Sequence, residues 1–285
     1  MTRTIVVGID GSPASYAALD WAADDAARRR LGVRIVHVRG PWTAEHSLTA
    51  AGDHQTLTEQ CDAMLRAAAS RAQQRRPGLE VTTALGVGAV AERLKHEARS
   101  ADTVALGSRG LGRVSGQVLG SVGPALTGQL SCPLVIVHEP AQQPYGEVVA
   151  GFDGSADAEA ALEYALEQAQ ARDARLRVLY GLQAPVQTPH PVGYGPIPNG
   201  ITEQEIEQRL TTWRQKYPEV EMVVSVLAGN PVTVLARASR QADLVVVGSR
   251  GLGGFASAVL GSVSRGILRR ARCPVAVIRR PDRTS

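Results

Sequence analysis

The sequence predicts an α/β protein built as two tandem doubly wound domains, each a five-stranded parallel sheet in the order 3-2-1-4-5 flanked by helices. Three observations predict it. First, residues 104–122, VALGSRGLGRVSGQVLGSV, return as residues 245–263, VVVGSRGLGGFASAVLGSV, with twelve of nineteen positions identical. Second, Asp10-Gly11-Ser12 returns as Asp153-Gly154-Ser155, and "SCPLVIVHE" returns as "RCPVAVIRR". Self-similarity over half of a 285-residue chain implies a duplicated domain, and each copy is long enough to bury its own core. Third, near-continuous apolar runs alternate with helical stretches in each copy, the pattern of a parallel sheet covered on both faces.

In the first copy, Thr4–Ile9 is an apolar strand. Ser12 then offers a helix N-cap with Pro13 at the first helical position, and the helix runs to about Arg30. Val33–Val38 is a second strand. An Ala-rich helix follows near Thr56–Arg75, then a strand at Val81–Leu85, a helix at Ala89–Ser100 and a strand at Thr103–Leu106. The glycine loop comes next, then a helix from Ser121 and a last strand, Leu134–Val137. The Pro- and Gln-rich "EPAQQPYGE" joins the copies, which places the domains at 1–140 and 146–281. Each last strand would be a sheet edge. Exposed edges tend to be covered, so the two halves are expected to pair within the chain about a pseudo-two-fold axis, and two chains to form a homodimer.

Composition excludes several classes. No apolar run approaches the length of a membrane span. MTRTIVVGID enters a strand at once, without the charged and apolar regions of a signal peptide, so a cytoplasmic protein is expected. The net charge of +4 raises nucleic acid as a partner, but no basic stripe is interleaved with aromatics. Arginines instead cluster where helices end, at 28–30, 75–76 and 269–270, where they would complement helix dipoles and face solvent. The three cysteines include no CxxC; Cys132 and Cys273, each followed by proline, read as small buried hydrophobes.

The chemistry lies in the repeated loop. Both copies space their glycines as G-x2-G-x9-G-S: Gly107, Gly110, Gly120, Ser121 and Gly248, Gly251, Gly261, Ser262. A glycine after a strand permits a turn with positive φ and lets backbone N–H groups reach a ligand. Gly-Ser before a helix adds free N–H groups and a hydroxyl, a combination suited to phosphate. In the order 3-2-1-4-5, Asp10 at the end of strand 1 and Gly107 at the end of strand 4 face one crevice beside the switch point. The loop is not a Walker A motif, because the only lysines are Lys95 and Lys216. His37 is matched by Tyr180, and His46 and His54 lack metal-ligand spacing, so no protein-built metal site is expected.

With these residues, nearly the whole chain resembles a tandem member of the universal stress protein family, of its ATP-binding branch, which carries G-x2-G-x9-G-[ST]. The arginine-rich, lysine-poor composition resembles the mycobacterial type. The resemblance implies one adenine nucleotide per domain. Asp10 and Asp153 would accept hydrogen bonds from the ribose or adenine side. Gly8 and Gly151 would let the nucleotide lie against the first strand, while the backbone of Val38 and Gly181 would meet the adenine edge. Gly107, Gly110, Gly120 and Ser121 would hold ribose and phosphates, as would Gly248, Gly251, Gly261 and Ser262. Val122 and Val263 would offer N–H groups. Ser108, Arg109, Gly112 and Arg113 lie in the first loop, and Ser249, Arg250 and Gly253 in the second. Gly254 stands where the first copy has Arg113, which argues against equal affinity.

Mg²⁺ or Mn²⁺ would arrive with the phosphates. The implied function is an ATP-binding stress-response regulator acting through a protein partner. Two alternatives stay open: a slow ATPase or phosphotransferase, and a nucleotide-free scaffold. Phosphoryl transfer needs a base and usually a lysine or arginine at the γ-phosphate. The copies share no candidate base beyond the two aspartates. The segment 181–200, with five prolines, cannot be helix and reads as a long loop beside the second site.

Overall fold

The computed structural model describes residues 3–40, 51–110, 120–138, 144–182, 202–252 and 260–280, with backbone alone for 51–56. The first half contains β1 (Thr4–Gly8), α1 (Pro13–Arg29), β2 (Gly32–Arg39), α2 (Ala51–Arg75), β3 (Val81–Val87), α3 (Val90–Ala98), β4 (Ala101–Gly107), α4 (Val122–Leu126) and β5 (Leu134–Val137). The second contains β6 (Glu147–Gly151), α5 (Ala156–Arg172), β7 (Arg175–Leu182), α6 (Glu203–Lys216), β8 (Met222–Ala228), α7 (Pro231–Ala238), a 3₁₀ turn (Ser239–Gln241), β9 (Leu244–Gly248), α8 (Ser262–Arg270) and β10 (Val275–Ile278). Local signals act as expected. Ser12 caps α1 by accepting from the Ser15 N–H, and Ser155 caps α5 by accepting from the Ala158 N–H. Both helices end on a left-handed residue at matching positions, Arg30 and Asp173.

The strands form one sheet in the order β3-β2-β1-β4-β5-β10-β9-β6-β7-β8. Each half therefore has the doubly wound order 3-2-1-4-5. All pairs are parallel except the central one, where β5 and β10 run antiparallel with Val135 opposite Ala276. The two last strands are thus edges of their halves and the middle of the whole sheet. The pairing removes both exposed edges at once and leaves β3 and β8 as the outer strands.

The apolar core follows the sheet and not the domain boundary. One buried cluster takes Leu19 of α1 and Leu65 of α2 together with Leu162 of α5 and Ile206 of α6. The cluster on the other face takes Leu94 of α3 and Leu126 of α4 together with Leu235 of α7 and Leu268 of α8. Both cores run continuously from one half into the other.

The seam is also polar, which the sequence does not announce. Arg29, read as a solvent-facing helix-end arginine, is instead largely buried. It pairs with Asp102 at 2.7 Å and lies 3.5 Å from Asp25. Arg172 of α5 pairs with Asp25 at 2.8 Å, and Gln168 donates to the same carboxylate at 3.2 Å. Arg29 lies over the Tyr164 ring and Arg172 over the Trp21 ring. The positions correspond in pairs: 21 with 164, 25 with 168 and 29 with 172, all 143 apart. Two arginines thus stand near the pseudo-two-fold axis with one carboxylate between them, because the second half replaces aspartate by glutamine. A mixed pair of halves is electrostatically satisfied there. Two first halves would oppose Asp25 to Asp25, and two second halves would leave both arginines without that carboxylate.

Cys273 is buried as expected, while Cys132 is only half-buried against the same apolar cluster. Burial pushes both the Cys132 and Cys273 thiols up to about 12. At pH 8 only about one molecule in ten thousand would carry thiolate at either position, and thiolate is the reactive form. A thiol reagent is therefore expected to label Cys61 on α2 rapidly in the folded chain, and all three cysteines only after denaturation. Rapid labelling of Cys273 in the folded protein would overturn this reading.

Candidate functional site

β1 and β4 are neighbours, with Gly8 opposite Leu106. The strand-end aspartate and the glycine loop consequently meet at the carboxyl edge of the sheet, as the strand order requires. In the first half, Asp10 Oδ1 accepts the Ser12 N–H at 3.0 Å, an Asx turn into α1. Its Oδ2 faces Gly110, where an added Cβ would come within 2.5 Å of it. In the second half, Asp153 Oδ1 accepts the Ser155 N–H at 2.9 Å and its Oδ2 accepts the Leu252 N–H at 3.1 Å. A Cβ on Gly251 would collide with that same oxygen. Gly110 and Gly251 are therefore glycines because a carboxylate lies against them.

The two ends of the loop are tied together in the same way in both halves. Gly120 N–H donates to Ser108 carbonyl oxygen at 2.9 Å, and Gly261 N–H to that of Ser249 at 2.7 Å. Ser12 Oγ donates to the Arg109 carbonyl at 3.4 Å, and Ser155 Oγ to the Arg250 carbonyl at 3.3 Å. Ser12 and Ser155 thus tie helix start to loop in both halves. The sequence reading uses Ser12 only as a cap; its doubled "DGS" is the signal for the second role.

Several glycine expectations are corrected. None of the described loop glycines has a left-handed φ. That conformation falls to Gly11 and Gly154, at φ 85° and 81°, in the turn after each aspartate. Gly107 is needed for close packing: a Cβ there would lie 2.5 Å from the Ala14 carbonyl carbon. Gly248 meets the Asp157 backbone similarly, at 2.8 Å. At Gly8 a Cβ would strike Leu106 and at Gly151 it would press on Leu235 and Val247, so core packing alone already requires glycine at both positions. At Gly181 it would lie 2.8 Å from Pro231 Cα at the start of α7. Val38 stays near the carboxyl end of β2, opposite Gly86.

The expected helix after Gly-Ser differs between halves. α8 starts at Ser262 and includes Val263 over nine residues, but α4 spans only Val122–Leu126, five residues. Pro124 takes one N–H out of that first turn, and Gly128 at φ 73° follows it. The first loop thus has little helix behind it. Gly112, Arg113, Gly253, Gly254, His46 and most of the proline-rich 181–200 loop lie outside the described residues.

His138, just past β5, touches the seam: its Nε2–H donates to the Leu268 carbonyl at 2.7 Å. At the matching position, Arg279 Nη1 donates to the Gly128 carbonyl at 3.1 Å. Burial pushes the His138 imidazole down, against the carbonyl contact, and Arg109 of the first loop adds to the depression. The first loop and the seam are therefore electrostatically close. His37 Nδ1–H donates to the Ile9 carbonyl at 2.8 Å, a structural bond within the sheet edge. Among the described residues no cluster of three or more His, Cys, Asp or Glu could hold a metal ion, and no helix is long and apolar enough to cross a membrane.

Fold and site together define a duplicated doubly wound α/β protein in which each half sets an end of its glycine loop against a strand-end aspartate. The model of the universal stress protein family matches residues 1–138 and 144–279, and the chain belongs to that family. A universal stress protein of Mycobacterium tuberculosis is 35% identical, the match covering 98% of this chain and 95% of that protein. One from Mycolicibacterium smegmatis is 32% identical over 96% of both. The crystal structure of a universal stress protein from Archaeoglobus fulgidus superposes with a TM-score of 0.74 at 20% identity, covering 98% of this chain and 99% of that one; it speaks for the fold.

Proposed function

We propose that the chain is a cytoplasmic ATP-binding regulator with one adenine-nucleotide site in each half and little or no turnover. The observation that carries this is the doubled constellation of Asp10 with Gly110 and Asp153 with Gly251, each glycine lying against its aspartate's Oδ2. The residues fit such a ligand. An ionised carboxylate offers about four lone-pair sites, so each aspartate can accept from a ligand as well as from its own turn. Ribose hydroxyls are the matching donors. Ser121 and Ser262, with the loop N–H groups, are the donors a phosphate chain needs. Bound Mg²⁺ or Mn²⁺ would offset phosphate charge and would come with the nucleotide. Because β5 and β10 are consumed within the chain, a homodimer would use other surfaces, and nucleotide occupancy would alter the face offered to a regulatory protein.

Native mass spectrometry of the purified chain tests the reading: co-purified adenine nucleotide supports it, and a ligand-free chain that takes up none on incubation overturns it. Chemistry is tested separately. Steady-state hydrolysis with Mg²⁺ is expected below about one turnover per minute, against 1–10³ per second for ordinary enzymes. Neither lysine, Lys95 or Lys216, falls within either loop segment, and the shared aspartates are engaged in the turns. Several turnovers per second, abolished by Asp10→Asn, would make the protein an ATPase.

A further inference from the structure

The two halves differ at one buried position behind the glycine loop. Asp157 in the second half corresponds to Ala14 in the first, at the same offset as the paired strand-end aspartates. It stands in the first turn of α5, buried. Its Oδ2 accepts the Ser249 hydroxyl at 2.7 Å and the Arg250 backbone N–H at 3.1 Å, and lies 3.6 Å from Arg250 Nε. Its Oδ1 accepts the Arg280 N–H at 3.2 Å. The carboxylate is thus fixed against the back of the second loop. It occupies donors on two residues that the sequence assigns to the ligand. Alanine at position 14 supplies no such acceptor.

We propose that Asp157 sets a charge selectivity that separates the two sites: the first takes a nucleoside triphosphate, and the second favours a less anionic ligand, a nucleoside monophosphate. The proposal rests on the nucleotide reading of the loops. A phosphate chain approaching the second loop meets a fixed negative charge and competes with it for Arg250. A buried charge is poorly screened by salt, and the repulsion grows with each phosphate added. The longer α8 works the other way, since a helix N-terminus carries about half a positive charge. A full carboxylate charge bonded to the loop itself outweighs that half charge.

Calorimetry on full-length chains with ATP and AMP tests this. Gly120→Val leaves the second site alone to be measured. There ATP is expected to bind more weakly than AMP. Adding Asp157→Ala should tighten ATP about tenfold or more while changing AMP less than about threefold. Asp157→Asn, which keeps the shape and removes the charge, should reproduce that selective gain and covers the case in which alanine disturbs the fold. The reciprocal Ala14→Asp, measured with Gly261→Val, should weaken ATP at the first site. If both position-157 variants leave the ATP-to-AMP ratio within about twofold, the inference falls while the nucleotide reading stands. If neither single-site chain binds any nucleotide, the nucleotide reading falls, and this inference with it.

Discussion

Replacing Gly120 by valine is expected to leave the protein folded and remove one nucleotide, with Gly261→Val removing the other. The geometry makes the first substitution clean. Among the described residues, a Cβ at Gly120 would find its nearest neighbour, the Gly110 backbone nitrogen, at 3.6 Å, and its φ lies outside the left-handed region. The backbone therefore tolerates a side chain. The added side chain is expected to crowd the loop N–H groups, of which the Gly110 nitrogen lies 3.6 Å from that Cβ. At Gly261 the fit is tighter, with the Ser249 carbonyl oxygen 3.2 Å from the added Cβ, so the loop must shift by a few tenths of an ångström. Loss of two charge-assisted bonds of about 1.5–3 kcal/mol each weakens a site by about 10²–10⁴-fold. Calorimetry should read two nucleotides for the parent, one for each single variant and none for the double. Abolition of all binding by one single variant would show that only one site is real or that the two are strictly coupled. Normal binding by the double variant would refute the phosphate reading of the loop.

What the sequence revealed and concealed follows from the range of each interaction. The duplication, the strand order and the meeting of Asp10 with the glycine loop were legible, because they depend on repeated local patterns and on the switch point of a doubly wound sheet. The reason for each glycine was not. Spacing alone cannot distinguish a glycine required by φ, such as Gly11, from one required by a helix backbone packed against it, such as Gly107. Gly8 and Gly151 end the first strands, and spacing does not show that side chains of the neighbouring strands and helices crowd the place of their missing Cβ atoms. Arg29 was misread for a related reason. On α1 alone it is a helix-end cation beside solvent, and only the second half, 143 residues on, buries it against Tyr164. Asp157 was passed over because one copy alone carries it, and the comparison of copies rewards what they share.

The buried charge at the seam carries the largest expected effect on stability. Asp25 is fully buried, and the Arg172 side chain beside it is only 7% exposed. Removing the carboxylate by Asp25→Ala leaves Arg29 with Asp102, but leaves Arg172, among the described residues, with Gln168 and the face of Trp21. Breaking one side of a buried ion pair typically costs about 3–5 kcal/mol, because the remaining charge stays desolvated without its partner. Asp25→Ala should therefore lower the urea midpoint by that amount of stability. Asp25→Asn, which keeps the shape and loses the charge, should fall between it and the parent. The double replacement Asp25→Leu with Arg172→Met removes both charges together and should recover most of the loss, since an apolar pair of similar volume is often as stable as the ion pair it replaces. Both buried clusters cross this seam, so the chain should still unfold in one transition in each variant. A loss below about 1 kcal/mol for Asp25→Ala would show that water reaches Arg172 and that the seam is held by its apolar cores and the β5–β10 pairing alone.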